Sequence, residues 1–356
     1  MLIEVRAKNC YAFNEEIQFS MKADMRNKKF GSNVHKENNF NVLKTAGIYG
    51  PNNTGKTCLV KCIKAIKNVL LNKNKEIMPN IFTESTVCEL GITFLFLGRK
   101  FAYDFKYDIK ENAFIYESFL EILKDQYNNE KEICWLKKDT IGEEYECLDE
   151  SLRDIIPVVS KNNLLYYVMD TGKFEYTNKM KEILVGFASK IDVINMNNIP
   201  ISNTIEVMKN KNQIQEKVVE FIKNSDLYMD NFEYVGMDKI PVELNDFDEK
   251  PDEMVLNIPE GFMDQIRLVS TYKGIKVPSM LFDSTGTKKI TAIASYVIQA
   301  LEQGRILVVD ELDSSIHFKL TRAIVAMFNN EMNTDAQMIF TVHDINLMDC
   351  KRLFRK

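Results

Sequence analysis

Gly50-Pro51-Asn52-Asn53-Thr54-Gly55-Lys56-Thr57, followed by Cys58, sets glycines, a lysine and a threonine at the spacing of a Walker A phosphate loop. Glycines let the backbone wrap closely around phosphates, and the N–H groups opening the next helix meet the anion at the positive end of its dipole. In that arrangement Lys56 reaches β- and γ-phosphate oxygens, and the Thr57 hydroxyl ligates Mg²⁺. The expected nucleotide-contacting set is Gly50, Pro51, Asn52, Asn53, Thr54, Gly55, Lys56, Thr57 and Cys58, with ATP and Mg²⁺ as ligands. Far downstream, Arg305-Ile306-Leu307-Val308-Val309-Asp310-Glu311 is a charged entry, four apolar residues and two carboxylates, the pattern of a Walker B strand. Asp310 is placed to hold Mg²⁺ through water, and Glu311 to orient or deprotonate an attacking water. The other reading of this pair is two solvated acids after a core strand.

Three shorter pieces follow the same logic. Ser284-Thr285-Gly286-Thr287 precedes apolar residues at Ile290, Ile293, Val297, Ala300 and Leu301, a helical period that makes a second anion-ready helix start. Asp313-Ser314-Ser315 with His317 comes directly after the Walker B acids, and Gln337 to Val342 is a last short strand leading to His343-Asp344. In this order the pieces resemble the ABC-type ATPases: Walker A, signature, Walker B, D-loop, switch histidine. That resemblance implies that Lys56, Glu311 and His343 are catalytic and that Thr57 and Asp310 hold the metal. It also implies that Ser284, Gly286 and Thr287 of one head close over the nucleotide of another, with Asp313 at the same interface of a head-to-tail homodimer. Ser284-Thr285 can also be read as a helix cap, which is compatible with that role. His343 can also be read as a structural residue at a strand end.

The segments Asp283 to Lys289, Asp310 to His317 and Thr341 to Met348, together with Ile3 to Phe13, look like a compact bacterial branch of these ATPases. That branch is related to the overcoming-lysogenisation-defect (OLD) family of abortive-infection and anti-phage systems. The opening strand also resembles that of chromosome-maintenance ATPases. Asp283 departs from the pattern, where relatives tend to carry glutamate, and no Q-loop glutamine is recognisable. Relatives usually continue past the histidine. Here the chain stops at Lys356, without room for a TOPRIM nuclease domain, and the expectation is a natural chain with a further closing strand.

These residues need a frame that brings them together. The fold class expected is α/β: an ABC-type P-loop ATPase head with a mixed sheet core, an antiparallel β-subdomain and an inserted helical lid. Val42 to Tyr49 is an apolar run before the loop, and an amphipathic helix starts near Lys56. Residues 1–20 read as two strands turning at Phe13-Asn14-Glu15-Glu16. Val87 to Leu97, Lys100 to Ile109 and Phe114 to Leu123 read as an antiparallel meander. From Leu152 to Asn224 the pattern is helical, with Ile214, Val218, Phe221 and Ile222 on one face, and Ile205 with Met208 before them. Phe232 to Val242 and Met254 to Gly274 return to strand-like composition. The expected organisation is an N-terminal lobe over 1–150, a helical insert over 151–230 and a C-terminal lobe over 231–356. The insert lacks the sustained heptads of a chromosome-maintenance arm and is longer than a transporter subunit has between its Walker motifs.

Bulk composition fits an enzyme with a large core: 356 residues, 45% hydrophobic. No apolar run approaches the roughly 18–20 residues of a membrane span. A net charge of −5 gives no overall pull toward nucleic acid. A local patch would have to come from the lysines at 61, 64, 67, 73 and 75 or from Lys351 to Lys356, which otherwise read as solvated faces. Seven unpaired-looking cysteines fit a reducing cytoplasm, and Cys58 and Cys62, one turn apart, read as small buried residues rather than ligands.

Two function classes remain. One is a nucleotide-driven sensor or scaffold whose paired heads control a separate effector such as a nuclease or toxin. The other is a repair or chromosome-maintenance type ATPase that binds DNA directly.

Overall fold

The computed structural model describes residues 1–27, 29–125, 129–148, 152, 156–158, 161–162, 164–165, 175–225, 227–241, 260–350 and 353. Among these, a four-stranded parallel sheet runs in the order Ile191–Asn195, Ile306–Asp310, Gln337–Val342, Thr45–Tyr49. Parallel strands are short and apolar because helices cover both faces. Ile306–Asp310 shows this directly. Ile306 and Val308 join one core with the helices Lys56–Leu70 and Glu175–Ser189, while Leu307 and Val309 join another with Thr285–Gln303 and Phe318–Phe328. Side chains alternate across a strand, so four residues serve two cores and the chain can place its acids only where the strand ends.

A seven-stranded antiparallel sheet forms the other large layer. Leu2–Lys8 lies between Ile17–Ser20 and Val87–Phe96, and Arg99–Asp108, Ala113–Lys124, Glu130–Asp139 and Glu144–Cys147 follow outward. The first hairpin turns at Leu97-Gly98, both at positive φ (51° and 75°), the geometry of a two-residue loop matching strand twist. Phe101 stacks on Phe119 at 5.3 Å, and Phe94 on Phe187 of the Glu175–Ser189 helix at 4.0 Å. A third, three-stranded sheet of Asn231–Tyr234, Leu268–Tyr272 and Ile275–Pro278 packs with the helices Ser202–Lys209 and Gln213–Lys223 against the Thr285–Gln303 helix. The hairpin Val34–Glu37/Phe40–Leu43 precedes the Walker A strand.

The expected mixed α/β head is present, with four local differences. Val42 to Tyr49 is not one strand: the chain leaves the hairpin at Leu43 and enters the parallel sheet at Thr45, with Lys44 buried between them and its Nζ bonded to Asn330 O at 3.1 Å. The meander runs two strands further, through Glu130–Asp139 and Glu144–Cys147. Within 254–274, Glu260–Ile266 is helix rather than strand, and 242–259 lies outside the described residues. Most consequential, the stretch expected to be helical contains Ile191–Asn195, a core strand pairing in parallel with Walker B. Its helices are likewise part of the head: Phe187 packs on the antiparallel sheet, and Val218 and Ile222 share a core with Ala294 and Ile298.

Candidate active site

The Walker A loop leaves the strand Thr45–Tyr49 and enters the helix Lys56–Leu70 at Gly55, whose φ of 91° is a conformation glycine adopts at little cost. A side chain at Gly55 would also meet the Phe13 ring at 2.9 Å, so the loop after the first strand lies against the phosphate loop. Lys56 Nζ is folded back onto the carbonyls of Gly50 (2.6 Å) and Pro51 (2.7 Å), and Thr54 Oγ1 donates to Pro51 O at 2.9 Å. Asn52 to Cys58, Glu311, Thr341, His343 and Ala12 line a cavity of about 280 Å³. This cavity brings together Asn52, Asn53, Thr54, Gly55, Lys56, Thr57, Cys58, Glu311 and His343. Ser284, Gly286 and Thr287 are not among its lining residues, and neither is any glutamine.

Asp310 ends its strand with 2% exposure, and three neutral groups hold its carboxylate. Thr57 Oγ1 donates to Oδ1 at 3.2 Å, Thr341 Oγ1 to the same oxygen at 2.7 Å, and Asn195 Nδ2 to Oδ2 at 2.9 Å. Glu311 follows at φ 57°, a left-handed conformation that costs a non-glycine residue about 1 kcal/mol or more. The turn is held by its neighbours: Glu311 N–H donates to Thr341 Oγ1 at 2.8 Å, and Leu312 N–H to Thr341 O at 3.0 Å. The Glu311 carboxylate accepts from Asn197 Nδ2 on one oxygen, and its other oxygen is 4.0 Å from His343 Nε2. His343 is exposed at the end of the Gln337–Val342 strand.

Asp313 is turned into its own chain. Its Oδ2 accepts from the backbone N–H groups of His343 and Asp344, both at 2.8 Å, so it fixes the loop that carries the histidine. Its Oδ1 is buried without a hydrogen-bond partner. Ser284 caps the helix Thr285–Gln303, accepting from Thr287 N–H at 3.1 Å, and Gly286 lies close to Ser315, where an added Cβ would come within 3.3 Å of the carbonyl. Asp283, the departure from the family pattern, is buried and accepts from Ser270 and Ser279 (2.6 Å each) and Tyr272 (2.8 Å), anchoring the turn before Ser284.

Asn195, Asn197 and Thr341 carry the two acids but were not assigned a role by sequence reasoning. Asn195 ends the missed strand and also accepts from Asn197 N–H through Oδ1 at 2.8 Å. The signal was a β-branched apolar run, Ile191-Asp192-Val193-Ile194, that stops at an asparagine-rich turn. Of the lysines considered for a basic patch, Lys64 pairs with Glu76 at 2.7 Å, Lys61 stands over the Tyr11 ring, and Lys75 stands over the Tyr107 and Phe114 rings. Burial holds the Lys67 ammonium below its usual range. Lys351 and Arg352 lie outside the described residues. Cys62 is buried and Cys58 half-buried on the Walker A helix.

A family model described as "AAA domain, putative AbiEii toxin, Type IV TA system" matches residues 194–349, under half of the 356 residues. The match spans Asn195, Ser284, Asp310, Glu311 and His343 and stops short of the Walker A loop. Comparison with curated proteins finds no match. Among solved structures, the chain is similar to the SMC head domain from Thermotoga maritima, at 14% identity and a TM-score of 0.43, covering 98% of this chain and 91% of that one. It is also similar to the SMC head bound to the C-winged helix domain of ScpA, at 11% identity and a TM-score of 0.46, with coverage of 98% and 91%. No helix among the described residues is long and apolar enough to cross a membrane. With its phosphate loop, parallel strand order and converging acids, the chain carries a P-loop ATPase domain.

Proposed function

We propose that this chain binds Mg²⁺-ATP in the cavity beside Lys56 and hydrolyses it slowly, because part of the site comes from a second copy. The observation that carries the reading is the 3.2 Å approach of Thr57 Oγ1, which lines the cavity, to Oδ1 of Asp310, buried directly behind it and far away in sequence. The donor set fits the metal: a hydroxyl and a carboxylate are hard oxygen ligands, and only neutral groups are bonded to Asp310 among the described residues. Bound Mg²⁺ would neutralise phosphate charge. Lys56, now on two loop carbonyls, swings to the β- and γ-phosphate oxygens, and Glu311 takes the water's proton. His343 contacts the γ-phosphate from the neighbouring strand.

Ser284, Gly286 and Thr287 complete the site from a second chain in a head-to-tail, two-fold dimer. Their absence from the cavity lining of one chain supports this, as does the helix dipole that opens at Thr285. We further propose that this pairing makes the protein the sensor or scaffold of an anti-phage, abortive-infection system related to the OLD-type ATPases, controlling a separate effector. The match of residues 194–349 to a family described by a putative AbiEii toxin of a type IV toxin–antitoxin system supports a place in such a system, and the sensor role and the OLD relation rest on the motif resemblance. Direct DNA binding, the second class, draws no support from Lys61, Lys64 and Lys75, which are engaged within the chain.

Calorimetry on Lys56→Ala tests the placement of the nucleotide. Loss of the ammonium should abolish ATP binding, and wild-type affinity would overturn the site.

A further inference from the structure

We infer that Asn197 is a positioning residue that ties the Glu311 carboxylate to the start of the Thr285–Gln303 helix, so that the helix setting governs Glu311. The inference rests on the reading of Glu311 as the group that handles water. The Asn197 carboxamide is used at both ends. Its Nδ2 donates to Glu311 Oε2, and its Oδ1 accepts from Ser314 Oγ at 2.7 Å. A flipped amide would set its oxygen against the carboxylate, so the orientation follows from the network. With Oε2 held, Oε1 is the oxygen on the His343 side of the cavity.

Lys289, in the second turn of the helix, reaches the same hub. Its Nζ lies 3.0 Å from Ser315 Oγ and 3.4 Å from both Ser314 Oγ and Asn197 Oδ1. Packing at this junction is open. A cavity of about 230 Å³ separates the 196–201 segment from the helix start and is lined by Asn197, Asn198, Thr285, Lys288 and Lys289 among others. Close-packed elements move together, whereas across a cavity a shift is transmitted by the polar groups that span it. Near the helix start that group is Lys289, which reaches Asn197 together with Ser314 and Ser315, and further along the helix Tyr296 Oη donates to Pro200 O at 3.3 Å. When Ser284 and Gly286 engage a nucleotide on the partner, the strain passes along the Lys289 line to Glu311.

The hydrogen bond is solvent-facing, since Asn197 is exposed and the Glu311 side chain keeps 30% of its surface. Such a bond adds little to stability, so its purpose is orientation rather than folding.

The test is steady-state ATPase kinetics on the full chain, with ATP affinity by calorimetry and thermal unfolding alongside. Asn197→Ala should lower kcat about 10- to 100-fold, as misplacement of a reacting group does, and leave ATP affinity within about twofold. Asn197→Asp keeps the shape but sets a carboxylate against Glu311, and should lose at least as much kcat with an unchanged unfolding temperature. Lys289→Met should lower kcat in the same direction, and combining it with Asn197→Ala should add little, because both act through one path. Glu311→Gln separates the two levels of the argument. If it abolishes turnover while Asn197→Ala and Asn197→Asp keep wild-type kcat, or change only KM, the positioning role is wrong and the site stands. If Glu311→Gln turns over ATP normally, the site reading itself falls.

Discussion

In the antiparallel sheet, several acids, among them the buried Glu4 and Glu121, are paired with cations of the same chain. Arg6 donates to Asp104 from Nε (3.0 Å) and Nη2 (2.8 Å) and to Glu4 at 2.7 Å; Arg99 pairs with Glu121, and Lys100 with Glu130 at 2.7 Å. In the parallel sheet Asp310 is as deeply buried as Glu121, at 2% against 5%, yet Thr57, Thr341 and Asn195 hold it with neutral donors alone. Taking a charge out of water costs several kcal/mol, which an internal cation offsets in the first sheet. In the second, hydrogen bonds from neutral groups orient the carboxylate, and no cation is paired with it among the described residues. Neutral donors by themselves do not mark a site, since Asp283 is buried among three hydroxyls and anchors a turn; Asp310 differs in that two of its donors, Thr57 and Thr341, line the phosphate-loop cavity. The difference separates a scaffold from a site.

Removing the carboxylate of Asp310 in one variant and the cation beside Asp104 and Glu4 in another tests the two kinds of acid separately. Asp310→Asn should lower Mg²⁺-dependent hydrolysis at least about 100-fold, since a metal-bound electrostatic contribution is several kcal/mol. Its thermal stability should stay close to wild type, because neutral donors can bond an amide. Turnover near wild type, or a large loss of stability, would place Asp310 with the structural acids. Arg6→Ala is the converse. It leaves Asp104 and Glu4 without their guanidinium at Gly91, where an added Cβ would sit 1.9 Å from Asp104 Oδ1. Urea unfolding should show a loss of about 1–3 kcal/mol, the cost of removing hydrogen bonds to charged groups, with Lys22 still 3.0 Å from Glu4. ATP affinity should be unchanged, and a fall in affinity with intact stability would contradict the division.

That division also explains what could be read in advance. Gly50 to Thr57 and Arg305 to Glu311 are legible because phosphate capture and a two-faced strand each demand residue types at fixed spacing. The Thr285–Gln303 helix shows its period over nineteen residues, and Val87 to Lys124 its alternation and turns. Ile191–Asn195 escaped because it is five residues long and follows a fifteen-residue helix, so any helical window swallows it. Asn195 and Asn197 then had no visible strand end to mark them. Their role depends on pairing with Ile306–Asp310, a contact between distant segments that local patterning does not encode. Asp313 was expected at an interface, and its hydrogen bonds to His343 and Asp344 depend likewise on where the next strand ends.

A smaller effect sharpens the comparison at Ser284, where one hydroxyl is both committed and available. It accepts from Thr287 N–H as a helix cap, and we assign it to the partner's phosphates as well. Aspartate caps as well as serine, so Ser284→Asp keeps the first role and adds negative charge in the second. The expected result is an unchanged unfolding temperature with ATP-stabilised pairing lost in sedimentation and turnover down about tenfold, the equivalent of 1.4 kcal/mol. Ser284→Ala removes the hydroxyl from both roles, so it should lose about 1 kcal/mol of stability and also weaken ATP-stabilised pairing, though less than the added charge does. If both variants pair and turn over normally, Ser284 is a cap and nothing more.

Glu117 is a further acid held by neutral donors away from the site. It sits in the antiparallel sheet, fully buried, and accepts from Tyr103 Oη at 2.8 Å and Leu165 N–H at 3.1 Å, both neutral. Lys138 is buried nearby and attracts it, but among the described residues the Lys138 Nζ makes no hydrogen bond. By its donors Glu117 resembles Asp310. By access it does not, because Thr57 and Thr341 connect Asp310 to the cavity, while Glu117 has no exposed surface. A charge that no outside cation can reach is relieved by a proton instead, and burial pushes the Glu117 carboxyl above its ordinary 4.5. The sign follows from linkage. Between 4.5 and the raised value the folded chain holds a proton that the unfolded chain has released, so stability falls as pH rises through that window. The slope from one such group is at most about 1.4 kcal/mol per pH unit. Urea unfolding at a series of pH values from 4.5 upward should show this descending component in the wild type and its absence in Glu117→Gln. Identical slopes in the two proteins would mean that Glu117 is charged and matched by Lys138. Glu117 would then be held as Glu4 and Glu121 are, by a cation of its own chain, and enclosure alone would not set it apart from them.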